Sequence, residues 1–182
     1  MTDNFKINFS LKGIASIIIG IAIFAAGYLI EIILNNFLAD KSSVSNLSPE
    51  ILIIAIAFFV FLIATATLFI TGKRHAKKIE TPLFNAKTKA ATKKYFLLII
   101  IIFAALLLLF NLGFINYLAP TFLTLYGLLL FVFKNKERKN LLILSGVSVL
   151  LAVMCFLIPS YWASSLSILG IAQATYGVVI KE

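Results

Sequence analysis

Six long apolar runs constrain this chain more than any other feature of its sequence. Each contains roughly 17 to 22 residues, which is about the length that a helix needs to cross ~30 Å of hydrocarbon. The runs occupy residues 13–34, 51–71, 95–114, 117–133, 141–158 and 162–180. The chain is 62% hydrophobic, whereas soluble domains are about 45–50% apolar. The sequence therefore predicts an all-α, polytopic membrane protein, with six transmembrane helices in a single domain over residues 1–182.

The runs divide the 16 Lys and Arg residues very unequally. Only Lys41 lies between runs one and two. If each run crosses the membrane, the other 15 basic residues all lie on the opposite side of the membrane. Cytoplasmic segments of membrane proteins carry an excess of Lys and Arg. We therefore expect both termini in the cytoplasm and the helices paired as three antiparallel hairpins. The net charge of +9 then reflects topology, and we do not expect the protein to bind nucleic acid.

The largest predicted cytoplasmic segment, residues 72–94, holds eight basic residues and a single acid, Glu80. The simplest interpretation is a loop that sets the orientation of the protein. Anionic lipid headgroups of the bilayer are its expected partner, because each basic residue near the surface adds about 1 kcal/mol of attraction. The sequence from Pro82 to Phe84, with lysines after it, also permits a short helix that lies at the membrane interface.

Small residues recur at helical spacing in the first, fifth and sixth runs. Positions three or four apart share one face of a helix, and a face without large side chains lets another backbone approach closely in a membrane. These small-residue stripes are Gly13, Ser16, Gly20 and Gly27; Ser145, Ser148, Ala152 and Cys155; and Ala163, Ser167, Gly170, Ala174 and Gly177. Because the turn between runs five and six is very short, we expect the sixth helix to pack mainly on the fifth.

Three polar side chains within the runs are candidates for an intramembrane site. Glu31 is the only carboxylate in any run, and an intramembrane carboxylate is a candidate proton or cation site. The alternative is that its carboxylate reaches headgroup water, because Glu31 is near the end of its run. Gln173 and Tyr176 are one turn apart in the sixth run, where they either line a polar pocket or form an interhelical hydrogen bond.

The sequence contains no pattern for catalysis, for a cofactor or for a metal. The sole histidine, His75, lies among lysines, so no His and Cys cluster with metal-ligand spacing is present. The serines of the last two runs have no intramembrane His or Lys to act as a base. No Gly-rich phosphate loop is found. We therefore expect neither an enzyme nor a cofactor.

Two motifs carry a resemblance to a known family. Residues 119–127 read A-P-x-x-L-x-x-Y-G, and residues 170–177 read G-x-x-Q-x-x-Y-G. Together with the small-residue first run and the basic segment 72–94, they make most of the chain resemble a family of uncharacterised six-span bacterial membrane proteins. That family usually has His at the position of Gln173 and an aromatic residue at the position of Glu31. The resemblance implies a multi-pass protein of the inner membrane, and it implies no activity.

The two motifs also indicate an internal repeat. Each ends in a Tyr-Gly pair, and the pairs at 126–127 and 176–177 are 50 residues apart. Self-similarity at a fixed spacing is typical of repeated structural units. We therefore expect the helical hairpin to be the repeating unit.

Two functional interpretations remain open. In the first, the protein is a non-catalytic integral membrane protein that acts through helix packing, as a homo-oligomer or with a membrane protein partner. In the second, it is a small proton-linked transporter or channel in which Glu31 and Gln173 face a shared cavity. The relative positions of these two side chains distinguish the interpretations.

Overall fold

The computed structural model describes residues 11–39, 49–78, 80, 82, 84, 86–133 and 140–180. Within these ranges the chain forms six α-helices, which are α1 (Gly13–Ala39), α2 (Pro49–Lys78), α3 (Ala86–Asn111), α4 (Leu118–Val132), α5 (Leu141–Leu157) and α6 (Trp162–Val179). One-turn 3-10 helices precede α4 and α6, at Ile115–Tyr117 and Pro159–Tyr161. Residues 1–10, Lys41, the basic turn at 134–139 and Lys181 lie outside the described residues.

The predicted all-α architecture is confirmed. Four of the helical segments are long and apolar enough to cross a membrane, and these are Gly13–Asn35, Ile51–Lys78, Lys87–Asn111 and Ile115–Val132. Helix α5 is apolar but shorter, with 17 residues. Helix α6 has 18 residues and carries Ser, Thr, Gln and Tyr side chains that lower its hydropathy.

The turn between α3 and α4 follows from its glycine. Gly113 has φ +76°, a left-handed conformation that glycine adopts at no steric cost. Its N–H donates to the Phe110 carbonyl at 3.0 Å, and the Phe114 N–H donates to the Leu109 carbonyl at 2.9 Å. This Schellman motif satisfies the last carbonyls of α3. Pro120 then lies in the first turn of α4, where its missing N–H removes no helical hydrogen bond.

The basic segment 72–94 differs from the predicted loop. Helix α2 continues to Lys78 and α3 begins at Ala86, so all eight basic residues lie on helices. Residues 87–94 form the first turns of α3 and do not form a separate interfacial helix. The physical reason is that Lys, Arg and Ala are strong helix formers, and Lys77 and Lys78 in the last turn of α2 are favourable against its dipole.

Two closely packed helix pairs, α1 with α6 and α4 with α5, form the centre of the fold. Helix α1 also packs along α2, whereas α5 and α6 contact each other less extensively. The expectation that the sixth helix packs mainly on the fifth is therefore wrong. A short connection fixes only that two helices are neighbours, and the glycines of α6 find a matching glycine-lined surface on α1.

Helices α2 and α3 meet through large side chains instead of through close backbones. Phe61 of α2 packs on Phe103 of α3 with ring centroids 4.7 Å apart, and the hydroxyls of Thr65 and Tyr95 are 3.3 Å apart. Two largely apolar cavities lie beside this contact. The far-end cavity, of about 230 Å³, is lined by residues of α1, α2, α3, α4 and α6 and by Pro159.

The basic-end cavity has a volume of about 250 Å³ and is lined by Leu11, the second half of α2, the start of α3 and Phe133 after α4. These elements define the basic end of the bundle, because the lysines of α2 and α3 lie there. The start of α1 and the end of α6 are also joined, since the Gly13 N–H donates to the Ile180 carbonyl at 3.1 Å. The second half of α2, the start of α3 and the residue after α4 therefore lie at one end of the bundle.

Candidate functional site

The α1–α6 interface is a direct contact between two helix backbones. A Cβ atom built on Gly20 would lie 2.5 Å from both the Ala174 nitrogen and the Gly170 oxygen. One built on Gly177 would lie 2.6 Å from the Gly13 oxygen. Real side chains do not tolerate such distances, so only glycine fits at these positions. In a membrane, this closeness stabilises the pair by dispersion contacts that a smooth surface permits.

The close approach brings three polar side chains together, and we call them the Gln173 network. Gln173 is fully buried on α6, one turn from both Gly170 and Gly177. Its Nε2 donates to the Ser16 Oγ of α1 at 2.7 Å, and that Oγ donates to the Gln173 backbone carbonyl at 2.9 Å. Tyr126 of α4 donates its hydroxyl to the Gln173 Oε1 at 3.1 Å. The network therefore joins α1, α4 and α6.

Helix α4 is held in position for this contact by α5. The Ser145 Oγ donates to the Gly127 carbonyl at 2.7 Å, and the Ser148 Oγ donates to the Leu123 carbonyl at 2.6 Å. Both serines are buried, so each hydrogen bond replaces one that water would otherwise provide. These bonds fix the turn of α4 that carries Tyr126. The Tyr126 ring also stacks on Phe122, with centroids 5.8 Å apart.

The predicted small-residue stripes are buried inside the bundle. Among their thirteen residues, Ser167 and Ala174 are half-buried and the others are buried. The stripe of α1 faces α6, and the serine stripe of α5 faces α4. Both stripes are therefore used within one copy of the chain.

The structure does not bring Glu31 to Gln173. Glu31 is exposed and is absent from the linings of both cavities. It follows Ser16 by fifteen residues, which is about 22 Å along a helix axis. Tyr176 is buried one turn beyond Gln173, so the structure groups Gln173 and Tyr176 and separates Glu31 from both.

The chemistry of the Gln173 network is that of a neutral hydrogen-bonded junction. Its amide oxygen and its amide nitrogen each have a partner on another helix. No carboxylate or amine belongs to it, and glutamine, serine and tyrosine hold no net charge at neutral pH. Within the part of the chain that the structure describes, no group of three or more His, Cys, Asp or Glu side chains is close enough to hold a metal. The Gln173 network therefore holds α1, α4 and α6 together.

Sequence reasoning selected Gln173 but missed its partners Ser16 and Tyr126. The contact between Tyr126 and Gln173 is indicated by how far each residue lies from the end of its helix. Tyr126 precedes Phe133, at the end of α4, by seven residues, and Gln173 precedes Ile180, at the end of α6, by the same number. Because both helices end at the basic end, the two side chains lie at about the same level in the bundle.

Comparisons with protein-family profiles, with curated proteins and with solved structures find no match for this chain. The resemblance to six-span bacterial membrane proteins therefore stays a prediction. Its two motifs nevertheless meet in the structure, since Tyr126 belongs to one and Gln173 to the other.

Proposed function

We propose that this protein is a non-catalytic, multi-pass integral protein of a bacterial inner membrane. In this proposal the chain crosses the bilayer six times as three antiparallel hairpins, and both termini are cytoplasmic. The four long apolar helices support it. So does the hydrogen bond from Gly13 to Ile180, which holds the start of α1 and the end of α6 at the basic end. A basic end that faces the cytoplasm agrees with the positive-inside rule.

The topology is tested with single cysteines. Cys155 is replaced by Ala, and a cysteine is introduced at Lys41 or at Lys87. We expect a membrane-impermeant maleimide to label the cysteine at position 41 in intact cells, and to label the cysteine at position 87 only after the membrane is broken. Labelling of both positions from the same side would contradict the six-crossing arrangement.

We further propose that the protein acts through helix packing, with a second copy or with a membrane protein partner. The main observation that supports this proposal is the Gln173 network, whose polar atoms are directed at neighbouring helices. The network supports a rigid bundle and offers no charged group for transport. Because the small-residue stripes lie inside the bundle, a partner would contact its large lipid-facing side chains, such as Ile100 and Leu108 of α3 and Leu150 of α5.

Purification in a mild detergent tests this proposal. We expect the protein to be isolated either as a defined oligomer, measured by native mass spectrometry, or with a membrane protein that co-purifies in fixed ratio. The control is the same isolation after Ile100→Asp, which places a charge on the surface of α3. A wild-type protein that is monomeric and isolated alone from its native membrane would contradict the proposal.

The transporter interpretation predicts a different result. Proton flux is measured in liposomes that contain the wild type, Glu31→Gln or the control Glu80→Gln. We expect the three proteins to give the same flux as protein-free liposomes, because Glu31 is exposed and lines neither cavity. A wild-type flux that Glu31→Gln abolishes and Glu80→Gln preserves would establish transport instead.

A further inference from the structure

The basic-end cavity is a half-open pocket between α2, α3 and Phe133. An apolar cavity of about 150 Å³ is sufficient to hold benzene. The basic-end cavity measures about 250 Å³. Its walls are mainly apolar and aromatic, with Leu68 and Phe69 from α2, Tyr95 and Phe96 from α3, and Phe133 after α4.

The polar side chains in this lining have partners within the protein. The hydroxyls of Thr65 and Tyr95 are 3.3 Å apart, and Thr92 donates to the Thr88 carbonyl at 2.8 Å. A ligand therefore meets an apolar surface. Water gains little against such a surface, whereas a hydrocarbon chain gains dispersion contacts with the apolar walls of the cavity.

Basic residues flank the cavity on three segments of the chain. Lys12 is adjacent to the lining residue Leu11, and Lys73 follows the lining residue Phe69 by one helical turn. Because Cβ atoms tilt toward the N-terminus of their helix, Lys73 leans back along α2 toward the cavity. On α3, Lys89 precedes Thr92 by one turn. Lys73 and Lys89 are exposed and Lys12 is half-buried.

The basic residues nearby distinguish the basic-end cavity from the far-end cavity. Between Gly72 and Lys94, eight basic residues stand against one acid, Glu80, and that acid is exposed. The far-end cavity has an uncharged lining, and Lys41 is the one basic residue in the sequence that connects its helices α1 and α2. The basic-end cavity thus combines an apolar interior with a cationic rim.

We propose that the basic-end cavity binds an acyl chain of one anionic phospholipid, whose headgroup lies against Lys12, Lys73 and Lys89. This inference deepens the proposed membrane function and rests on it. Phe84 lines the cavity from the α2–α3 connection, with its ring centroid 6.4 Å from that of Phe69, so it covers the chain beside the headgroup. Basic pockets between helices at the cytoplasmic side are a known type of anionic lipid site.

Native mass spectrometry of the purified protein in detergent tests the headgroup. The probes are phosphatidylglycerol and phosphatidylcholine with identical dioleoyl chains. We expect one phosphatidylglycerol to be retained at a concentration roughly 150-fold lower than phosphatidylcholine requires, since each of the three basic residues near the lipid contributes about 1 kcal/mol. Equal retention of the two lipids would overturn the proposal.

A matched pair of charge variants tests the location. Lys73→Gln with Lys89→Gln removes two rim charges, and we expect phosphatidylglycerol affinity to fall roughly 30-fold. Lys78→Gln with Lys94→Gln removes the same charge from exposed positions, each five residues from the rim lysine of its helix and therefore on another face of α2 or α3. We expect that control to change the affinity less than about threefold. An equal loss in both variants would indicate diffuse attraction and overturn the site.

A cavity-filling variant tests the acyl chain. Ala91 lines the cavity and is half-buried, so Ala91→Phe places a ring where the chain would lie. We expect it to lower retention of both lipids, with helical circular dichroism and detergent elution unchanged. If Ala91→Phe does not fold, the smaller Ala91→Leu replaces it. Unchanged retention in a folded variant would overturn the proposal, and this outcome is independent of topology because the assay is done in detergent.

Discussion

Gly20→Ala tests the close contact of α1 and α6. The added Cβ would lie 2.5 Å from the Ala174 nitrogen and the Gly170 oxygen, and 3.0 Å from the Ala174 Cα. All three are backbone atoms, so none can rotate away. To restore an ordinary contact of 3.4 Å, the two helices must move apart by about 0.9 Å, because neither has a side chain there that can yield.

The size of the effect follows from three terms. Overpacking costs about 1–3 kcal/mol. Separation also stretches the hydrogen bonds between Ser16 and Gln173, now 2.7 and 2.9 Å, past the usual limit of about 3.2 Å, and such bonds contribute about 0.6 kcal/mol each in membranes. Alanine gains about 0.8–1.0 kcal/mol over glycine in a helix. The expected net loss of unfolding free energy is about 1–3 kcal/mol.

The assay is reversible unfolding in mixed micelles of mild detergent and SDS, followed by far-ultraviolet circular dichroism. Gly146→Ala is the matched control, because a Cβ at that position has no neighbour within 4 Å. The control should gain up to about 1 kcal/mol from helix propensity. An equal shift of the unfolding free energy by Gly20→Ala and Gly146→Ala would show that α1 and α6 are not in close backbone contact at Gly20.

Three further predictions use the same preparation. Gln173→Leu should lower the unfolding free energy by about 1–3 kcal/mol, because it leaves the buried Tyr126 hydroxyl without its acceptor and removes the hydrogen bond that the Ser16 Oγ accepts. Tyr126→Phe should cost about 0.6 kcal/mol. A Gln173→Leu protein as stable as the wild type would contradict this. Ser148→Ala removes a 2.6 Å bond to the Leu123 carbonyl and should cost about 0.6–1.7 kcal/mol, while the exposed control Ser164→Ala should be neutral. Cys155 is 1% exposed, so a maleimide should modify it only after SDS denaturation, and rapid labelling in mild detergent would show that α5 is packed differently.

The number of helices in the described residues could be predicted from the sequence, because each apolar run has about the length that a membrane-crossing helix needs. The ends of the helices could not be predicted in the same way. Hydropathy reports only the part of a helix that lies in lipid, and a helix that extends into water changes its composition without changing its backbone. Residues 73–78 and 87–94 are basic and polar, yet they continue α2 and α3, because lysine and alanine favour the helix in water as well.

Only part of the candidate site could be predicted from the sequence. Helical spacing shows which residues share a face, so the burial of Gly20 and Gly170 follows from the stripes. Spacing does not show which helix covers that face. Ser16 and Gln173 are 157 positions apart, and no local pattern relates them. The charge of Glu31 within an apolar run made it a candidate, and its exposed position depends on where the other helices pack.

The hydrogen bonds between the first and the sixth helix have a consequence for biogenesis. In the six-crossing arrangement that we propose, α1 would enter the bilayer long before α6 exists, so Ser16 and the glycine groove would stay uncovered while the intervening helices are inserted. Contacts that join such distant parts of a chain form late and slowly. Closure by the final helix completes the bundle, and a nascent chain that stalls before it presents an open groove that quality-control proteases or a wrong helix can occupy.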